Sequence, residues 1–186
     1  MERSLDRAFT RMEHERKAFL DSVSHLPEGL LEQAPATGKW SIAQIVVHLV
    51  QAETSALSYL RKKLHHGGHG PVRLAGTFRL VALRVALATP VRWKAPRIIS
   101  DVPHTSWQNA MIQWRSVRDD WHRSLEDLPA GTAAHGLFKH PVAGKLTLAQ
   151  GLRFMAVHVR HHHGQAMRHA GLLSGGGRRK VGSGPS

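Results

Sequence analysis

The chain contains no cysteine. Disulfides and thiolate ligands are therefore excluded, and any metal site must draw on His, Asp or Glu. Long apolar runs are also missing. No stretch approaches the roughly 18 apolar residues of a membrane span. The opening residues Met1-Glu2-Arg3-Ser4-Leu5-Asp6 mix charges without an apolar stretch, so neither a signal peptide nor a transmembrane helix is expected. The expected compartment is the cytoplasm. Acidic residues are scarce, 13 against 26 Lys and Arg, and the imbalance is local. Residues 61–100 hold nine basic residues and no acid, and three more basic residues follow residue 170. The rest of the chain is nearly neutral, which argues against a nucleic-acid footprint spread over the whole fold.

What remains is helical pattern in a chain of 186 residues, the length of one domain with a real core. Leu5, Ala8, Phe9, Met12, Phe19, Leu20, Val23 and Leu26 mark one face of a first helix over 4–26, with Ser4 as its N-cap and Pro27 and Gly29 as its stop. Ser41 and Gln44 form a capping box that opens a second helix, with Trp40 and Ile45 as its hydrophobic staple. Its apolar stripe runs through Ile42, Ile45, Val46, Leu49, Ala52, Ala56, Leu57 and Leu60. A third helix runs from about Ser106 to Leu128 on a stripe of Trp107, Trp114 and Trp121, which reads as core packing. Thr147 and Gln150 repeat the capping box ahead of a fourth helix, Leu148 to Ala170. The connection between the second and third helices exceeds forty residues and can cross a bundle, whereas the other two are shorter. The expectation is an all-α four-helix bundle in up-down-down-up order over residues 1–171, with a disordered Gly/Ser/basic tail over 172–186.

The chemistry concentrates in His158-Val159-Arg160-His161-His162-His163-Gly164-Gln165. Two histidines four apart on a helix lie one turn above each other, about 6 Å between Cβ atoms, which suits two imidazoles on one transition metal. His158 and His162 border the core stripe of the fourth helix, and His48 borders that of the second, so all three can face the bundle interior. His161 and His163 fall on another face and read as solvated. The ordinary reading of a lone histidine on an apolar border is a core residue bonded to a carbonyl, and sequence alone does not bring His48 to the pair.

Four pieces in register give a resemblance. They are Trp40-Ser41-x-x-Gln44-x-x-x-His48-Leu49; Lys94-Ala95-Pro96 with Pro103; His140-Pro141-x-x-Gly144-x-Leu146-Thr147; and His158-x-x-x-His162-x-x-Gln165. Over about residues 1–170 the chain resembles the DinB/YfiT-like superfamily. The resemblance implies a four-helix bundle with a three-histidine site for a divalent metal, often zinc, nickel or iron. Carried over by position, the ligands are His48, His158 and His162, with Gln165 in a supporting place one turn on. It also implies a small-molecule substrate, a frequent homodimer, and either hydrolase chemistry or transfer that depends on a low-molecular-weight thiol.

From the residues themselves, three imidazoles leave a coordination position open, as catalytic sites do. No carboxylate lies one turn from the histidines of the fourth helix, and Glu53 falls on a different face from His48. The competing expectation is a non-catalytic bundle whose segment 61–97 binds an anionic partner. Arg79, Arg84, Arg92, Lys94 and Arg97 would then meet phosphate, nucleic acid or a membrane surface.

Overall fold

The computed structural model describes residues 1–66, 102–140 and 144–176. Four long helices form the bundle: α1 (Arg3–Val23), α3 (Ile42–His66), α4 (Trp107–Glu126) and α5 (Leu148–Gly176). A five-residue helix, α2 (Glu28–Glu32), and a small hairpin of β1 (Phe138–His140) and β2 (Gly144–Leu146) fill the connections. No helix among the described residues is long and apolar enough to cross a membrane. Arg79, Arg84, Arg92, Lys94 and Arg97 lie outside the described residues, as does the tail beyond Gly176.

The caps explain where the helices begin. Gln44 donates its backbone N–H to Ser41 Oγ at 3.1 Å, and Ser41 returns its own to Gln44 Oε1 at 3.0 Å. Thr147 and Gln150 make the same exchange at 3.1 and 2.9 Å. Ser106 caps α4 by accepting from the Asn109 N–H. Ser4, by contrast, is not the cap of α1. The helix begins at Arg3 with Glu2 in the cap position, and the Ser4 hydroxyl donates to the Glu2 carboxylate inside the first turn.

The helix ends depart further from expectation. α1 stops at Val23, and Pro27, expected only as a breaker, accepts through its carbonyl from Leu30 and Leu31 to start α2. Gly29 sits inside that helix. α5 passes Gly171, where a stop was expected, and continues to Gly176. A single interior glycine costs only ~1 kcal/mol, too little to end a long helix. At one position glycine is required by space: a Cβ on Gly151 would lie 2.6 Å from the Phe138 ring, so the hairpin lies directly against the first turn of α5.

Cross-helix contacts set the directions. Glu53 meets Trp114 and Arg118, and Arg61 meets Ser124, so α3 and α4 run in the same sense. Glu15 pairs with Arg160 and Phe19 with His163, which makes α1 and α5 parallel too. Phe9 contacts His122 and Phe19 contacts Trp114, so α1 runs against α4. This is the up-down-down-up bundle. Its core is built on Trp114, Trp121, Phe19, Leu5, Met12, Ile45, Leu49 and Leu60. Every residue from Ile42 to Val50 is buried, which makes the start of α3 the centre of the fold.

Candidate metal centre

His48 lies two turns into α3, within the stretch buried on all sides, and is 2 % exposed. α5 delivers His158 and His162 to the same place, one turn apart. His158 Nε2 stands 3.3 Å from His48 Nε2 and 3.1 Å from His162 Nε2, and one nitrogen from each ring lies within 4.8 Å of both others. A tetrahedral ion ~2.05 Å from each nitrogen holds them roughly 3.3 Å apart, so the spacing suits a first-row divalent metal. The three rings meet edge-on rather than stacked. That arrangement directs nitrogens to a common point.

The tautomer agrees with this reading. His162 Nδ1 is 2.9 Å from Gln165 Oε1, an acceptor, so the ring proton sits on Nδ1 and the Nε2 lone pair faces the cluster. Burial first, and then the neighbouring His48 and His161, push the His162 pKa down to about 3, against the opposing pull of Gln165. His162 is therefore a neutral imidazole in ordinary buffer, the form that binds metal. Aromatic rings brace the other two histidines. Trp40 packs on His48 with ring centroids 5.0 Å apart, and Phe154 stacks on His158 at 6.2 Å and 10°. Sequence reading missed both as site residues, although Phe154 stands one turn before His158 and carried a signal.

His161 and His163 stay out of the cluster, as expected, but they are half-buried rather than solvated. His163 rests against Phe19, and burial lowers its pKa against the pull of Glu15. Among the described residues no carboxylate joins the three histidines. Glu53, the nearest candidate base by sequence, is turned away into a separate network. Both its oxygens bond Arg118, and Trp114 Nε1 donates to it at 3.2 Å.

The donor set, three nitrogens with no acidic ligand among the described residues, thus fits a divalent transition-metal ion. Among solved structures, YfiT from Bacillus subtilis, described as a probable metal-dependent hydrolase with an unusual four-helix bundle topology, matches with a TM-score of 0.58 at 18% identity. The match covers 94% of this chain and 90% of that one, and it establishes likeness of fold. No curated protein sequence matches this one. A model of the DinB superfamily matches residues 11–166, a span holding His48, His158, His162 and Gln165, and the chain belongs to that superfamily.

Proposed function

We propose that the protein is a metal-dependent enzyme, a hydrolase in the first instance, whose divalent ion is held by His48, His158 and His162. The observation that carries this is the convergence of three imidazole nitrogens, 3.1 and 3.3 Å apart, with the His162 tautomer set by Gln165. When bound, the ion supplies Lewis-acid chemistry at a position the three ligands leave open. The chain's own residues have narrower tasks. Gln165 keeps the His162 lone pair inward, while Trp40 and Phe154 shield the rings of His48 and His158 from water and fix their planes. With Glu53 bound by Arg118, no described carboxylate beside the triad can take a proton. That favours reactions in which substrate or solvent carries the proton away, and keeps transfer that depends on a low-molecular-weight thiol as the second chemistry.

Two measurements test the reading. Elemental analysis of untagged protein should give about one divalent ion per chain, lost in His48→Ala and His158→Ala but kept in His25→Ala, an exposed histidine far from the cluster in sequence. A panel of carboxylic, amide and phosphate esters, with and without glutathione as a model thiol, should then show turnover abolished by chelator and restored by zinc, nickel or iron. Full metal content in both ligand variants would falsify the site.

A further inference from the structure

An open cleft of about 530 Å³ lies at the approach to α3, with Trp40 between it and His48. Its walls are the turn Thr37-Gly38-Lys39, the ring of Trp40, the side of Gln44, and His104 from the segment that enters α4. Ala34 and Ala36 add apolar floor, and no acidic side chain lines it. A volume of this order holds a small organic molecule. The polar groups are a lysine ammonium, an imidazole and a hydroxyl, a set suited to a carboxylate or phosphate oxygen. Trp40 connects the cleft to the metal site, because the same indole packs on His48 at 5.0 Å. Buried His169 lies beside the backbone of Trp40. Lys39 lies close enough to His169 for its charge, after burial and Arg168, to help lower the pKa of that ring.

We infer that this cleft is the substrate-recognition pocket, and that the substrate is a small anion with a flat apolar body. The body rests on Trp40 and the alanines, and a carboxylate or phosphate meets Lys39 and His104. The assignment rests on the metal-enzyme reading above, and it names the class of molecule that site would serve.

Phenyl phosphate and benzoate, with benzyl alcohol as the neutral control, are suitable probes. In metal-free protein, either anion should shift the Trp40 indole and Gly38 amide resonances saturably, and benzyl alcohol should not. Lys39→Gln should weaken binding about fivefold, and Lys39→Gln with His104→Gln further, with Lys17→Gln on α1 without effect. Equal binding of benzyl alcohol, no saturable shift at Trp40 and Gly38, or unchanged affinity in the double variant would overturn the pocket. Once cobalt is loaded, the aryl protons of bound phenyl phosphate should broaden strongly. Sharp lines at full cobalt occupancy would overturn the substrate role. The metal-free titration reads the cleft even where no metal binds, so failure of the pocket and failure of the metal site remain separate results.

Discussion

α3 carries two buried polar centres, one around His48 and one around Glu53, on different faces of the same helix. At Glu53 every charge is answered. Arg118, 2 % exposed, donates to both Glu53 oxygens and to Glu13 on α1 at 2.6 Å, while Trp114 and Trp121 send their indole N–H groups to the Glu53 side chain and backbone. At His48 the polar atoms point at one another instead, three imidazole nitrogens gathered around a common point. A closed network fixes how α1, α3 and α4 sit together. A set of converging lone pairs does little for the fold and much for a cation. The difference separates the residue that positions the bundle from the residue of the proposed metal site, although both are buried and polar.

The comparison breaks most visibly at Arg118. Arg118→Ala leaves Glu53 as an uncompensated buried charge, while Glu13 keeps Arg16, and removal of one partner from a buried pair costs about 3–5 kcal/mol. Urea denaturation should show that loss, and the fraction that remains folded should still bind metal normally. His158→Ala should do the reverse. Structural zinc sites of four ligands bind with ~10–16 kcal/mol, so one ligand removed costs on the order of 3 kcal/mol, about a hundredfold in affinity. Competition against a fluorescent chelator measures it, and the stability of the metal-free form should stay within about 1 kcal/mol of the parent. If His158→Ala unfolded the metal-free protein, the two centres would not be different in kind.

Much of this was legible in the sequence because it is local. The capping boxes at Ser41 and Thr147 span four residues each, and their hydrogen bonds form as read. His158 and His162 are one helical turn apart in any context. Other features depended on tertiary structure. Arg118 falls one position after Val117 on the buried face of α4, but an arginine there reads as surface until Glu53 and Glu13 are known to meet it. α2 and the hairpin strands, five and three residues long, are too short to show a hydrophobic period. Pro27 and Gly29 were legible as a stop but not as the start of the next helix. The partnership of His48 with the α5 pair came from motif order, since no local rule joins residues so far apart.

Acid should separate the centres by window. In metal-free protein His162 has a folded pKa of about 3 against an ordinary 6.5, so the unfolded chain binds a proton there that the folded chain refuses. Stability contributed by the neutral ring is full above 6.5 and falls as pH drops from 6.5 toward 3, by a few kcal/mol at most, on the order of one per pKa unit. Glu13 responds later. Burial alone would raise its carboxyl, but Arg16 and Arg118 together hold it below 4.5, so its contribution is present above 4.5 and disappears as pH falls through the folded value. Urea midpoints across pH should show two limbs. His162→Leu should shrink the upper one, to which half-buried His163 and buried His169 also contribute, and leave the lower one in place, whereas Glu13→Gln should act only on the lower.

The finest test is at Gln165, which touches the candidate metal only through His162. Its Oε1 accepts the His162 Nδ1 proton at 2.9 Å and so fixes both tautomer and ring angle. Removal of such an outer partner costs about 10–100-fold in metal affinity. Gln165→Leu should therefore weaken binding within that range, less than His158→Ala does, because Nε2 remains. Gln165→Glu should restore or exceed the parental affinity, since a carboxylate accepts the same proton and makes the imidazole a stronger donor to the ion. A merely structural role predicts the opposite order, with a buried charge doing more harm than leucine. The parallel exchange in the other centre gives the control. Glu53→Gln should lower stability by weakening the bonds to Arg118 and should leave metal affinity where it was.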